Sequence, residues 1–250
     1  MILEGLRMKL RGTTAIVTGG SRGIGYAIAE ALVKAGVKTI ITGRNIGTIT
    51  SAAEKINAIP MVWNIADISA MKNKFNECLE LLGGCDILVN NAGVFDKVGW
   101  GLGMLNVSED DWDKVIDINL KAAFFMMQTS AKYMYENKIK GNILNISSVA
   151  ANEPLQGPYG VSKAGLFGLT RGWAKNLAPY GIVVNGIAPG PVATEMNGWK
   201  DGDSLSHSRI PTGRFALTSE IASLAMYLLS EEACQIVGHT VVLDGAYDIK

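Results

Sequence analysis

Seven short runs of apolar, mostly β-branched residues recur along the chain, and helix-length segments separate most of them. The runs are residues 14–18, 38–42, 60–64, 86–90, 142–146, 182–186 and 240–244. One intervening segment, residues 24–35, carries apolar side chains at the spacing of an amphipathic helix. This alternation predicts an α/β fold with a parallel sheet covered by helices on both faces.

The composition supports one domain that acts on small molecules. Apolar residues make up 48% of the 250 positions, and no linker or repeat interrupts them. We therefore predict a single domain over residues 1–250, with residues 1–13 as a partly disordered extension. Lys plus Arg and Asp plus Glu number 23 each, so no net charge favours nucleic acid. No apolar run of about 18 residues predicts a membrane span.

Cysteine and histidine usage argues against metal sites and disulfides. The three cysteines, Cys78, Cys85 and Cys234, have no CxxC spacing, and the two histidines, His207 and His239, lie far apart. This pattern predicts neither a zinc site nor a disulfide framework, and it favours a reducing, cytoplasmic location.

A glycine-rich loop joins the first predicted strand to the first predicted helix. Its sequence, TGGSRGIG at 18–25, contains Gly19, Ser21, Arg22, Gly23, Ile24 and Gly25. Glycines let a backbone approach a pyrophosphate closely, and a helix start stabilises negative charge. The loop predicts a dinucleotide site, the alternative being a tight turn without a ligand.

The second predicted strand ends in Gly43 and Arg44, where an NAD site usually carries an acidic residue. An arginine there suits a 2′-phosphate, and Arg22 adds a second positive charge. We therefore predict a preference for NADP(H). The alternative is two solvated arginines at surface turns.

Tyr159 and Lys163 lie four residues apart in a segment whose Pro158 is typical of a first helical turn. On one helical face, the lysine could stabilise a phenolate, so that the tyrosine serves as general acid and base. An exposed helical pair is the alternative. Upstream, Ser147 and Ser148 end a predicted strand, and Asn119 lies on an apolar helical face. The alternative for the two serines is an ordinary turn, and the alternative for Asn119 is a core amide with its hydrogen bonds satisfied.

Two glycine-containing segments, residues 94–107 and 189–211, depart from the alternation and predict long loops. Ser108 is expected to cap the helix that follows the first of them. Such loops border the ligand crevice of an open α/β sheet, so we expect both to select the substrate.

Six motifs together resemble the short-chain dehydrogenase/reductase family. They are TGGSRGIG at 18–25, NNAG at 90–93, Asn119, ISS at 146–148, YGVSK at 159–163 and PGPVAT at 189–194. The resemblance implies a Rossmann sheet of order 3-2-1-4-5-6-7, a homotetramer and a catalytic set of Asn119, Ser148, Tyr159 and Lys163. Ser147 stays open as the alternative serine, because the interval from Ser148 to Tyr159 is shorter than the family's common spacing.

The resemblance also implies cofactor contacts beyond the glycine loop. Asn64 and Ile65 would contact the adenine, with Asp67 as a helix cap. The remaining implied contacts are Asn91, Ala92, Gly93, Tyr159, Lys163, Pro189, Gly190, Val192 and Thr194.

The sequence of the C-terminal third is similar to that of 3-oxoacyl-acyl-carrier-protein reductases. This similarity makes a 3-oxoacyl thioester the leading substrate. Ile139 and Tyr180 stand where those enzymes offer arginines to the carrier, although Lys138, Lys140 and Lys175 lie nearby in sequence. A carrier-bound substrate, a free ketone, a sugar or polyol and a steroid-like alcohol all remain open. Two other functions also remain: a non-catalytic NADP(H)-binding regulator, and a lyase or epimerase.

Overall fold

The computed structural model describes residues 8–95, 101–152 and 157–249. Its strands are β1 (Thr14–Val17), β2 (Lys38–Gly43), β3 (Ile59–Val62), β4 (Ile87–Asn90), β5 (Asn142–Ile146), β6 (Val183–Pro189) and β7 (Thr240–Leu243). All neighbouring strands pair in parallel, in the order β3-β2-β1-β4-β5-β6-β7. The predicted fold and strand order are confirmed.

Helices follow most of the strands. They are α1 (Gly23–Lys34), α2 (Ile46–Ile56), α3 (Met71–Leu82), α4 (Glu109–Ile116), α5 (Ala122–Glu136), α6 (Gly157–Leu177) and α7 (Thr218–Leu228), with a π-helical segment, Asp117–Lys121, between α4 and α5. In the described ranges, no helix combines the length and apolarity that a bilayer crossing needs.

The sheet is buried on both faces because its strands alternate between two apolar cores. In β1, Ala15 and Val17 belong to one core and Ile16 to the other. The first core contains buried residues of α1, α2 and α7, and the second contains those of α3, α5 and α6. Successive strand side chains point to opposite faces, so a continuous apolar run satisfies both cores.

The strand register brings the carboxyl ends of β1, β2, β4 and β5 to one edge. Val17 pairs with both Ile41 and Val89, and Val89 pairs with Leu144. The residues that follow these positions therefore share one side of the sheet, where open α/β folds bind ligands.

Two residues of the predicted N-terminal extension contact the domain. Residues 1–7 lie outside the described ranges, but Leu10 forms a bridge with Ser230 and the Arg11 backbone N–H donates to the Leu229 carbonyl at 3.1 Å. The Arg11 guanidinium also donates to the Gly181 carbonyl at 2.9 Å. Residues 10 and 11 are thus held against the domain.

Two predicted local features have different outcomes. Ser108 caps α4 as predicted, through a capping box with Asp111. Asp67 is not the cap of α3, whose N-cap is Ala70. Instead, Asp67 accepts hydrogen bonds from the Ser69 hydroxyl and the Ala70 N–H in the turn before the helix. The spacing between Asp67 and the start of α3 did not reveal this extra turn.

The two predicted loops are only partly irregular. Residues 96–100 of the first lie outside the described ranges, and Gly101–Asn106 forms a 3-10 helix. In the second, β6 continues to Pro189 and a short 3-10 turn covers Glu195–Asn197.

Candidate active site

The glycine loop leaves the start of α1 open to an anion. The N-cap, Arg22, has extended backbone and makes no side-chain capping bond. Gly19 and Gly23 have φ values of 67° and 59°, in the left-handed region that favours glycine. The first N–H groups of α1 therefore have no side-chain cap, which is the arrangement that binds phosphate in proteins.

Asn91, which follows β4, ties the loop in place. Its amide donates to the carbonyls of Thr18 and Gly19 at 3.0 and 2.9 Å. The Thr18 hydroxyl accepts in turn from the backbone N–H groups of Asn91 and Ala92, both at 3.0 Å. A Cβ at Gly25 would collide with the Asn91 amide, so this glycine permits the close packing of loop and strand end.

The end of β2 carries a basic residue where the sequence predicts a cofactor contact. Arg44 is exposed and lines the cleft, and the space beside Gly43 is filled by Ile49. The adjacent Asn45 caps α2 by accepting from the Thr48 N–H at 3.0 Å. Among the cleft residues that the structure describes, the carboxylates are Glu195 and Asp201, and neither lies on β2.

A cleft of about 860 Å³ runs along the carboxyl edge of the sheet. Most of the predicted cofactor residues line it: Gly19, Ser21, Arg22, Gly23, Ile24, Arg44, Asn64, Ile65, Asn91, Ala92, Gly93, Tyr159, Lys163 and Thr194. The others, Gly25, Pro189, Gly190 and Val192, are not among its lining residues. Val192 is buried, and a Cβ at Gly190 would press on Asp244, so these positions support the walls.

Lys163 is a buried cation at the centre of the site. Its side chain is 5% exposed, and its Nζ donates to the Ile146 carbonyl at 2.9 Å. Burial lowers the pKa of Lys163 to about 8, because desolvation disfavours the charged form. The Nζ lies 5.7 Å from the centre of the Tyr159 ring, which places the positive charge over the phenol.

Tyr159 lies one turn before Lys163 in α6. Burial raises the pKa of Tyr159, and a hydrogen bond with the Ser148 side chain opposes that rise. The raised pKa keeps the phenol protonated, which is the form that donates a proton. Phe95 packs edge-on against the Tyr159 ring, with centroids 4.8 Å apart.

The two candidate serines have different partners. The Ser147 hydroxyl is buried and donates to the Lys163 carbonyl at 2.9 Å. The Ser148 hydroxyl accepts from the Ala150 N–H at 3.2 Å and bonds with the Tyr159 side chain. Ser147 borders the cleft, but the hydroxyl next to the phenol belongs to Ser148.

Asn119 lies in the π-helical segment and is 1% exposed. Its Oδ1 accepts from the Val94 N–H at 2.8 Å, and its Nδ2 donates to the Val94 carbonyl at 2.9 Å and the Ser162 hydroxyl at 3.2 Å. Gly93 separates it from Lys163: a Cβ there would lie 3.3 Å from Asn119 Oδ1 and 3.5 Å from Lys163 Nζ. Asn119 thus joins the loop after β4 to α6.

Some cleft residues did not stand out in the sequence. Met196 and Trp199 line the cleft after β6, and Phe95 contacts Tyr159 from the loop after β4. Within the described ranges, the buried indole Nε1 of Trp199 has no hydrogen-bond partner, so it is a donor available to a ligand. The prediction that both loops border the site was the only signal for these side chains.

An ion pair between two residues that line the cleft was also not predicted from the sequence. Arg22 Nη1 lies 2.7 Å from Glu195 Oε2. In the described ranges, no group of three or more His, Cys, Asp or Glu residues is arranged to hold a metal ion.

Comparisons with known proteins agree with this geometry. A family model described as Enoyl-(Acyl carrier protein) reductase matches residues 19–248. The 3-oxoacyl-[acyl-carrier-protein] reductase of Aquifex aeolicus is 37% identical, over 96% of this chain and 99% of its own. The chain belongs to the short-chain dehydrogenase/reductase family. It is therefore an oxidoreductase of the carbonyl/alcohol type, from a family that binds a nicotinamide cofactor.

Other members of the short-chain dehydrogenase/reductase family lead to the same assignment. The 3-oxoacyl-[acyl-carrier-protein] reductase of Thermotoga maritima is 34% identical over 95% of this chain and 98% of its own. A putative short-chain alcohol dehydrogenase from Sinorhizobium meliloti superposes with a TM-score of 0.87, 36% identity and coverage of 96% and 97%. A putative gluconate dehydrogenase from Agrobacterium tumefaciens superposes with a TM-score of 0.86 and 32% identity, covering 97% of this chain and 98% of its own.

Proposed function

We propose that this chain is an NADP(H)-dependent oxidoreductase that interconverts a carbonyl and a secondary alcohol, with Tyr159 as general acid and base. The observation that carries the proposal is one cleft lined by the glycine loop with Arg22, by Arg44 at the end of β2, and by the Tyr159–Lys163 pair. Few other reactions need both an anion cradle and a buried phenol next to a cation.

The residues present fit a dinucleotide that bears an extra phosphate. The uncapped start of α1 suits the pyrophosphate, and Gly19 and Gly25 leave no room for a side chain between the loop and Asn91. Arg44 and Arg22 both line the cleft and offer forked donors to a 2′-phosphate. Asn64 and Ile65 would contact the adenine side.

In the reductive direction, the cofactor, when bound, would supply a hydride to the carbonyl carbon. The phenol of Tyr159 donates its proton to the carbonyl oxygen as negative charge develops there. Ser148, already bonded to the phenol, orients it and offers its hydroxyl to the same oxygen. The nearby charge of Lys163 stabilises the phenolate that remains.

The phenolate must then regain a proton from solvent. We assign this relay to Lys163 and Asn119, which lie on either side of Gly93. The side-chain atoms of Asn119 are bonded to Val94 and Ser162, so Asn119 would hold the loop after β4 in place around the relay. Asn119 is then a positioning residue for the relay.

The leading substrate is a 3-oxoacyl thioester, since the curated relatives described above are 3-oxoacyl-[acyl-carrier-protein] reductases. Lys138, Lys140 and Lys175 are exposed and could attract an acidic carrier by charge. We further propose a homotetramer in the cytoplasm, where the buried free thiols of Cys78 and Cys85 would stay reduced.

The test follows NADPH absorbance against acetoacetyl thioesters, free and carrier-bound, alongside sugars, cyclic diketones and steroid ketones. We expect turnover of at least one class, with a higher kcat/KM for NADPH than for NADH. Equal values for the two cofactors would overturn the cofactor assignment. Tight NADPH binding without turnover of any class would indicate a regulatory protein.

A further inference from the structure

The ion pair between Arg22 and Glu195 joins two segments that are far apart in the chain. Arg22 lies in the glycine loop, and Glu195 begins the 3-10 turn that follows β6. Both residues line the cleft, and their charged atoms lie 2.7 Å apart. The pair therefore joins the glycine loop to the segment after β6, beside the start of α1.

This bridge contributes little to the fold. The two side chains are 77% and 68% exposed, and exposed ion pairs add little stability. The turn at Glu195 is held separately, because Asn197 bonds to the Thr194 carbonyl through its backbone at 3.0 Å and to the Val192 carbonyl through its side chain at 2.8 Å. Neutralising Glu195 should therefore leave the loop in place.

We propose that Glu195 moderates the preference for NADP(H) by competing with the 2′-phosphate of NADP(H) for the guanidinium of Arg22. This inference rests on the proposed function. A guanidinium binds carboxylate and phosphate with the same forked geometry, so one anion occupies donors that the other would use. Glu195 also carries charge of the same sign as the phosphate, which weakens NADP(H) binding more than NAD(H) binding, because NAD(H) lacks the 2′-phosphate.

The position of Glu195 affects the preference between NADP(H) and NAD(H). The acidic residue that usually opposes a 2′-phosphate at the end of β2 is replaced by Gly43 and Arg44. Glu195 supplies a negative charge from the segment after β6 instead, and so moderates a preference that the two arginines would otherwise make stronger.

The experiment measures the Kd of NADPH and NADH by fluorescence titration at low ionic strength, where surface charges are least screened. Glu195→Gln is expected to bind NADPH about two- to fivefold more tightly than wild type, with a smaller change in the Kd of NADH. The same substitution in an Arg22→Gln background should give a smaller gain. Glu231→Gln is the matched control, because it breaks the exposed 2.9 Å pair with Lys9, outside the cleft lining, and should change neither Kd.

The outcomes separate this inference from the proposed function. If wild type prefers NADPH but Glu195→Gln leaves NADPH binding unchanged, weakens it, or shifts both cofactors equally, the inference is wrong and the function stands. A gain of equal size in the Arg22→Gln background would also overturn it. If wild type binds NADH as tightly as NADPH, the proposed cofactor itself is wrong.

Discussion

At the scale of single residues, burial of Lys163 costs folding free energy and also gives its ammonium a pKa that suits proton transfer. Its ammonium is buried and bonded to one carbonyl, so the fold holds a charge that water would solvate better. The same desolvation brings its pKa to about 8, close enough to neutrality for proton exchange. Sites of this kind commonly trade stability for activity.

The pH dependence of stability should reveal this penalty. Burial lowers the pKa of Lys163 from its ordinary value of 10.5 to about 8, so between these values the unfolded chain binds a proton that the folded chain lacks. Stability from this group therefore rises with pH across that window. In urea unfolding, wild type should gain on the order of 3 kcal/mol relative to Lys163→Met between pH 8 and 10.5. A difference independent of pH would contradict the assignment.

The two serines should separate into one chemical and one structural role. Ser148→Ala removes the hydroxyl bonded to Tyr159, and we expect kcat to fall by about 10²- to 10³-fold. Ser147→Ala removes a buried bond to the Lys163 carbonyl, so it should cost about 1 kcal/mol of unfolding free energy with a smaller effect on kcat. A larger kcat loss in Ser147→Ala would reverse the assignment.

At the scale of elements, the π-helical segment between α4 and α5 determines where Asn119 points. The segment adds a residue to the helical turn, and its Asp117 carbonyl accepts from the Ala122 N–H. π-Bulges frequently occur at functional sites, and here the bulge lies where Asn119 bonds both polar groups of the Val94 backbone.

Asn119→Ala would leave the Val94 N–H and carbonyl without this partner. We expect a loss of about 1 to 3 kcal/mol in the free energy of unfolding, measured by urea denaturation, because buried polar groups are costly when unpaired. The matched control is Asn176→Ala, which removes an exposed bond to the Gly172 carbonyl within α6 and should change stability by less than about 0.5 kcal/mol. Equal losses in both variants would contradict the bridging role.

The elements were more predictable than their junctions. The periods of β1 and α1 come from local residue patterns, and the observed ends differ from the predicted ones by one residue. The π-helical segment was not predictable, because residues 117–121 carry an ordinary helical pattern. Asp67 was misassigned for a related reason: its spacing suits a cap, while the extra turn before α3 depends on the fold.

At the scale of the whole molecule, the site exists because parallel strands end at one edge. The glycine loop, Arg44, Ser147 and Tyr159 at the start of α6 are distant in sequence and meet there. Sequence motifs could name most of these residues, since each motif has its own local pattern. They could not reveal the Arg22–Glu195 pair, whose members are 173 positions apart and are joined only by tertiary structure.

The loops are where sequence reasoning about this molecule is weakest. Their position beside the cleft followed from fold geometry, but the inward placement of Met196 and Trp199 depends on turns that no local pattern specifies. For the same reason, the motifs indicate the class of reaction, whereas the choice of substrate depends on the loops.

The central claim is that Tyr159 transfers the proton in an NADP(H)-dependent reduction. The direct measurement compares wild type with Tyr159→Phe, using NADPH oxidation with the best substrate of the panel and NADPH binding by fluorescence. We expect kcat/KM to fall by about 10²- to 10⁴-fold in the variant, with the NADPH Kd within twofold of wild type. Activity within tenfold of wild type, with the cofactor still bound, would contradict the claim.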